Sequence, residues 1–310
     1  MVEFSHICIV SPDIPCLCRP GTDDLVTAVE RGETRGFEAR LETVLADPRL
    51  PAAITDYAQR FTALYGEPKA VSIMGDLGRF AVVAALFSLP SPVIQAAFIR
   101  HIGPDLAGRA RIASHLAALR ECGAVEPLTG GRRAQPIVPT AWLEGWMVGW
   151  LAAMVLPARP WWDSPAPAPD ISRALLATYL GQILAANRSG LTAFATVPGV
   201  RRMMSLVGGH LFMLELILAS ANLESIGAPV AFSRRAFAAR FGVSRGHAVD
   251  LAAEAEGLDW MIRQGDGHIV LTSAFARDVR RWSAIHFVLA TDTQTGSLLA
   301  VMGELPDANI

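Results

Sequence analysis

The stretch FSRRAFAARFGVSRGHAVDLAAEAEGLDWMIRQGDGHIVLT, residues 232–272, decides the predicted fold of this chain. Ser233 and Ser244 each stand just before a run of helix-forming residues, where an N-cap residue is expected. Gly242 separates the two runs, so the pattern predicts two short helices joined by a tight turn. The buried face of the second helix is predicted by apolar residues at positions i, i+3, i+4 and i+7, which are Ala248, Leu251, Ala252 and Ala255.

The residues after this second helix have the composition of a hairpin. Gly257 is expected to end the helix. Residues 258–263 and 268–272 are strand-like, and the intervening QGDG at 264–267 is typical of a turn. The whole stretch therefore predicts a helix, a turn, a second helix and a two-stranded wing.

A similar order of elements is predicted in the first half of the chain. Ser91-Pro92 is expected to open a short helix, and Asp105 to cap a longer one that ends at Gly123. The predicted buried face of the longer helix is Ile112, Leu116 and Leu119. A hairpin is predicted around Gly130-Gly131.

Short motifs recur between the two halves at similar separations along the chain. The pairs are Pro92-Val93 with Pro229-Val230, Gly123 with Gly257, and Ile137-Val138 plus Thr140 with Ile269-Val270 plus Thr272. The same order occurring twice favours a repeated unit over chance. The Pro-rich run LPARPWWDSPAPAP at 156–169 separates the halves and is typical of a semi-rigid spacer.

The run S-x-x-x-x-A-x-x-F-G-V-S-R at 233–245, with the E-x-E-G-L end at 254–258, resembles the winged helix-turn-helix of bacterial transcriptional regulators, broadly MarR-like or GntR-like. A looser version covers 92–140. Two winged modules in one chain also resemble plasmid replication initiators and the winged subunits of chromosome-segregation complexes.

The resemblance implies a fold that is mostly α with small β-wings, with tandem winged helix-turn-helix modules joined by a helical, Pro-rich connector. The expected division is an irregular N-terminal arm (1–53), a first winged module (54–156), the connector (157–204), a second winged module (205–290) and a C-terminal tail (291–310). The arm is expected to end in a short helix near 37–45. Further helices are expected at 171–187 and 203–225.

The function that the resemblance implies is sequence-specific binding of double-stranded DNA in transcriptional control. The helix that begins after Ser244 would enter the major groove, and the wing would touch phosphate or the minor groove. The two capped helices would lie in successive major grooves about 34 Å apart. The implied DNA contacts are Ser244, Arg245, His247, Arg234, Arg235, Arg263 and His268 in the second module, and Arg109, Arg111, Ser114, Arg132 and Arg133 in the first.

The charge distribution leaves a second class of function open. The chain has 27 basic and 29 acidic residues, a net charge of −2, so a nucleic-acid site must be a local patch. Residues 229–273 have as many acidic as basic residues, whereas residues 91–138 have six arginines against three acids. Winged modules also dock on proteins, so a protein-interaction scaffold is the alternative. The composition, 52% hydrophobic, also leaves a homodimer open.

Trp142, Trp146 and Trp150 recur every fourth residue and raise the possibility of a pocket for a small aromatic effector. Such a pocket would make the protein a ligand-gated sensor. The alternative for the same residues is packing in the core or in a dimer interface, where tryptophan is also frequent.

The sequence offers little sign of catalysis, a cofactor or a metal. It has no G-x-S-x-G, P-loop or H-E-x-x-H motif, so we expect no enzyme and no cofactor. Cys16 and Cys18 are spaced more tightly than zinc ligands, and with His6 and Cys8 they are read as part of an ordinary arm.

A cytoplasmic protein without a membrane span is expected. The N-terminal residues MVEFSHICIV lack a basic region followed by a long apolar core. The apolar stretch 80–99 is interrupted by Pro90 and Pro92, and the stretch 203–221 contains His210 and Glu215.

Overall fold

A computed structural model describes residues 33–67, 69–102, 107–127, 136–162, 171–188, 196–221, 223–265 and 267–295. These residues are mostly helical and include two small antiparallel sheets, which confirms the coarse prediction of a mostly α chain with small β elements. Most of the predicted N-terminal arm lies outside the described residues. This part includes the four residues considered as metal ligands, His6, Cys8, Cys16 and Cys18.

The elements of the first half begin with a helix at the end of the arm and finish with a short 3₁₀ helix. They are α1 (Glu33–Ala46), α2 (Leu50–Leu64), α3 (Ala70–Met74), α4 (Leu77–Ser88), α5 (Gln95–Ile102), α6 (Arg109–Glu121), β1 (Val125–Pro127), β2 (Ile137–Pro139), α7 (Ala141–Val155) and the 3₁₀ helix (Leu156–Trp161). The expected module boundary at 53/54 therefore falls inside α2.

The second half repeats the order of the elements from α2 to α7, so α1 and the 3₁₀ helix lie outside the repeat. Its elements are α8 (Arg173–Arg188), α9 (Pro198–Met204), α10 (Gly209–Ala219), β3 (Pro229–Ala231), α11 (Arg234–Phe241), α12 (Arg245–Gly257), β4 (Met261–Gln264), β5 (His268–Leu271) and α13 (Ser273–Thr295). The boundary expected at 290/291 falls inside α13. The helix expected over 203–225 is broken, because the chain turns through the left-handed conformation at Gly208 (φ 72°).

The capping signals of residues 232–272 act as the sequence predicts. Ser233 accepts a hydrogen bond from the backbone N–H of Ala236, and Ser244 accepts one from His247 at 3.0 Å. Gly242 ends α11 with φ 66°, a conformation that disfavours a side chain.

Two start signals of the first half are corrected by the structure. Ser91-Pro92 does not open a helix: Val93 forms a bridge with Ile137, and α5 begins only at Gln95. Helix α6 begins after Gly108, and the expected cap Asp105 lies outside the described residues.

The two sheets share one pairing scheme. In the second half the strand order is β3-β5-β4, all antiparallel, with Val230 opposite Ile269. In the first half β1 pairs with β2, and Val93 bonds to Ile137 of β2 in the place that Val230 has beside β5. The repeat thus extends from the order of elements to the register of the strands.

The ends of the paired strands are held by matching hydrogen bonds. Thr140 N–H donates to Ala124 C=O at 3.0 Å, and Thr272 N–H donates to Trp260 C=O at 3.0 Å. Each threonine hydroxyl then caps the helix that follows, α7 or α13. The echo of Gly123 (φ 70°) is Asp259 (φ 57°), which has the same backbone turn, and not the predicted Gly257.

Helices α4 and α10 are apolar on every side and are covered from both halves. Helix α2 packs along α10, and α8 packs along α4, so each half covers the central helix of the other. A helix that is hydrophobic all round must be buried all round. The buried residues from Leu41 to Ala290 accordingly form one continuous core rather than one core per predicted module.

One segment of the described residues, Ala141–Trp161, is long and apolar enough to cross a membrane by length and composition, and just over half of its apolar stretch is buried inside the protein. Helices α9 and α10 taken together are also long and apolar enough to cross a membrane, but the chain bends by 118° between them. Such burial is ordinary for a core helix, so this is weak evidence for a membrane span.

Two half-buried histidines, His210 of α10 and His286 of α13, lie where α2, α10 and α13 meet. The Tyr57 hydroxyl and His210 Nε2 are 2.8 Å apart and form a hydrogen bond across the two halves. Both ring nitrogens of His286 are buried without a hydrogen-bond partner among the described residues. Burial lowers the pKa of His286 to about 4 and that of His210 to about 3, the latter also through the charge of His286.

These histidines predict acid sensitivity. Their folded-state pKa values lie below the unfolded value of about 6.5, so stability is lost as the pH falls from there towards 4. We expect His286→Phe to reduce the loss of unfolding free energy between pH 7.5 and pH 5 by about 1–2 kcal/mol. Urea unfolding at the two pH values measures this, with the exposed His268→Gln as control. Equal pH dependence in His286→Phe and wild type would contradict the assignment.

The bond between the halves predicts a contrast between two buried tyrosines. Tyr57→Phe leaves His210 Nε2 without its partner and should lower the unfolding free energy by about 1–3 kcal/mol. Tyr179 has a buried hydroxyl without a partner among the described residues, so Tyr179→Phe should be neutral or stabilising. Fluorescence and circular dichroism should report one shared unfolding transition, and two separate transitions would show independent halves.

Candidate nucleic-acid interface

The helix α12 is covered on one face and open on the other. Ala248, Leu251, Ala252 and Ala255 are buried, as the sequence predicts. The exposed face consists of Gly246, Val249, Asp250 and Ala253. Apart from Val249 and Asp250 these side chains are very small, so a partner can approach the helix backbone closely.

The helix α6 presents a similar open face in the first half. The predicted residues Ile112, Leu116 and Leu119 are buried, together with His115. The exposed face includes Ala110, Ala113, Ser114 and Ala117, and its acidic residue Glu121 lies at the C-terminal end of the helix. No described side chain caps the N-terminus of α6, so its first N–H groups remain available to an anion.

Arg111, a predicted DNA contact, fastens α6 to the start of α4. Its Nη2 lies 2.5 Å from Oδ1 of Asp76, whose side chain is 1% exposed. Asp76 also accepts the N–H of Arg79 as the N-cap of α4. Gly78 makes room for this pair, since a Cβ there would lie 2.7 Å from the Arg111 guanidinium. Arg111 is therefore a positioning residue.

His247, another predicted DNA contact, has the matching place in the second half. It is the third residue of α12, as Arg111 is the third residue of α6. Its Nε2 lies 2.5 Å from the C=O of Val207, in the turn before α10. In both halves the third residue of the open helix thus binds the turn that precedes the central helix.

These two turns also touch each other. The N–H of Gly208 donates to the C=O of Gly75 at 2.7 Å. The contacts of Arg111 with Asp76 and of His247 with Val207 lie one residue away on either side. The first turns of α6 and α12 are consequently fastened to one shared junction.

Ion pairs occupy two of the acidic residues of α12. Glu254 binds Arg202 of α9 through two hydrogen bonds of 2.8 and 3.1 Å, and this guanidinium holds the pKa of Glu254 below its usual value. Glu256 pairs with Arg263 of β4. The predicted wing contact Arg263 is thus already engaged within the protein, while Asp250 stays exposed on the open face of α12.

The remaining predicted contacts are at the surface. Arg109, Arg235 and Arg245 are exposed and Arg234 is half-buried, and none of the four forms an ion pair within the described ranges. Ser114 is exposed on α6, His268 is exposed on β5, and Ser244 is exposed while its hydroxyl caps α12. Arg132 and Arg133 lie outside the described residues.

The three tryptophans of α7 do not converge on one cavity. Trp146 and Trp150 are buried, with Trp146 donating to Leu64 C=O at 3.3 Å and Trp150 packed against Phe61 and Phe80. Trp142 is 37% exposed, and the groove between α2 and α7 is lined by other residues. Core packing, the alternative for these residues, accounts for Trp146 and Trp150.

The sequence did not predict which residues bind Arg111, His247 and Glu254 in the fold. Asp76, Val207 and Arg202 are remote in sequence from the helices that they hold, and no local pattern marks them. The one available signal was the matching third position of the two open helices, α6 and α12. Comparisons with protein-family models, curated proteins and solved structures give no match to this chain.

The different environments of two neighbouring arginines predict different effects on stability. Arg111→Ala removes an ion-pair partner from the buried Asp76 carboxylate and should lower the unfolding free energy by about 1–3 kcal/mol. Arg109→Ala removes an exposed side chain and should change it by less than about 0.5 kcal/mol. Urea unfolding of the two variants measures the contrast. Equal stability of the two would contradict the positioning role of Arg111.

Proposed function

We propose that the chain binds double-stranded DNA through two winged helix-turn-helix modules, as a sequence-specific regulator. The observation that most directly supports this proposal is the unit β3-α11-α12-β4-β5, whose strand order is β3-β5-β4. This unit presents the open face of α12 beside a two-stranded wing. The first half has the same order with α6 as the open helix. In such modules the second helix reads the major groove.

The properties of the open helices favour DNA as the partner. Alanine, glycine and serine predominate on their outer faces, which allows the helix to sit deep in a groove. Arg109 and Arg245 are the first residues of α6 and α12, at the helix end that contacts base edges in such modules, and an arginine there pairs well with guanine. Glu254 of α12 is neutralised by Arg202 of α9, which lies outside residues 229–273, so this stretch is less repulsive to DNA than its composition indicates.

Two exposed apolar side chains favour protein docking as the second candidate function. Val249 of α12 is 44% exposed and Ile262 of β4 is 56% exposed. β4 is also an edge strand of its sheet. A scaffold would bind a partner protein through these residues, and its binding would depend on apolar contact rather than on salt.

A titration with mixed genomic duplexes at several salt concentrations tests the proposal. Wild type should bind with an affinity that falls steeply with salt, because each phosphate contact releases counterions and contributes about −0.9 to the log–log slope. The variant Arg109→Ala/Arg245→Ala should bind more weakly and have a shallower slope than wild type, because it lacks two positive charges at the starts of the open helices. Fluorescence anisotropy of a labelled duplex measures both quantities.

A charge-matched control separates site contacts from a general loss of charge. Arg60→Ala/Arg159→Ala removes two exposed arginines of α2 and the 3₁₀ helix and should retain the wild-type slope. Equal weakening in both double variants would contradict binding through α6 and α12. Absence of binding at about 50 mM salt by a folded protein would favour the docking function, which Val249→Ser and Ile262→Ser should then impair.

A further inference from the structure

We infer that one chain reads an inverted repeat of two unlike half-sites, with one half-site under α6 and the other under α12. The inference rests on the proposed DNA binding and adds the orientation of the half-sites and the number of chains. It follows from how the two halves contact each other.

The contacts between the halves are reciprocal. Helix α2 of the first half packs on α10 of the second, and the equivalent helix α8 of the second half packs on α4 of the first. The helix that ends each repeat also contacts the helix that begins the other repeat: α13 contacts α2, and α7 contacts α8. Reciprocal contacts of this kind define a two-fold relation, as in an isologous dimer.

Equivalent elements also meet their own counterparts, which happens at a two-fold axis. The last helices α7 and α13 contact each other. The turns before α4 and α10 meet through the hydrogen bond from Gly208 to Gly75. Units related by translation along the chain would instead bring unlike elements together.

This relation determines how both open helices can bind one duplex. The first turns of α6 and α12 are fastened to the junction at Gly75 and Gly208 through Arg111 and His247. Because the halves are related by a two-fold rotation, both modules make equivalent groove contacts when the protein axis coincides with a dyad of the DNA. Operators with inverted half-sites have such a dyad, and direct repeats lack one.

The two halves differ in chemistry, so the half-sites should differ in sequence. At the sixth position the open face of α6 has Ser114, whereas that of α12 has Asp250, and both side chains are exposed. An exposed carboxylate in the groove accepts a hydrogen bond from cytosine N4 and disfavours an acceptor edge. Arg109 and Arg245 occupy equivalent first positions of the two helices and provide a matched pair of probes.

Selection of binding sites from randomised duplexes with the full chain tests the inference. We expect one enriched motif with two half-sites in inverted orientation. In Arg109→Ala one half-site should lose base preference, and in Arg245→Ala the other half-site should lose it, each with about tenfold or greater loss of discrimination. Arg159→Ala should return the wild-type motif.

The outcomes distinguish failure of the inference from failure of the proposed function. Enrichment of a direct repeat, or of a single half-site sensitive to only one of the two arginines, would contradict the inverted orientation of the half-sites but would leave the proposed DNA binding intact. Loss of preference in the same half-site for both variants would overturn it too. No enrichment by a folded chain would overturn both the inference and the proposed function.

Discussion

The burial of two helices that are apolar on every side governs this structure. Helices α4 and α10 have no polar face to turn towards water, so covering only one side would leave apolar surface exposed. Within its own half, α4 contacts α6 and β2, and α10 packs through Phe212 on Phe232 and Phe237 at the start of α11. The other side is covered by the first helix of the opposite half, α8 on α4 and α2 on α10. Neither half has a complete core without the other.

The same constraint fixes the candidate interface. Because α4 and α10 are packed between the halves, the turns that precede them meet at Gly75 and Gly208. Arg111 and His247 then connect the open helices to these turns. The placement of one open helix thus depends on packing in both halves, which is the property expected of a protein that recognises two sites at a defined separation.

Local structure was predictable because local signals determine it. Ser233, Ser244 and Gly242 act within their own turns, and Thr140 and Thr272 recur because each closes a strand and caps a helix. The buried face of α12 follows from the spacing of its apolar residues. These features required no knowledge of remote parts of the chain.

The packing of α2 on the second half and of α8 on the first half was not predictable. Periodicity indicates how much of a helix is buried, but it does not indicate which other helix covers it. The division into separate modules missed the shared core for this reason. The same limit applies to the site. Arg111, His247 and Arg263 look like DNA contacts in sequence, but Asp76, Val207 and Glu256 engage them in the fold. Arg109 and Arg245 remain unpaired within the described ranges.

The central proposal is that a single chain provides the symmetry and the two groove-reading helices that dimeric regulators obtain from two subunits. The mass of the complex with its selected duplex, measured by native mass spectrometry, tests this claim most directly. One chain on each duplex that contains both half-sites is the predicted result. Two chains on each duplex, with each half-site occupied by a separate copy, would contradict the account.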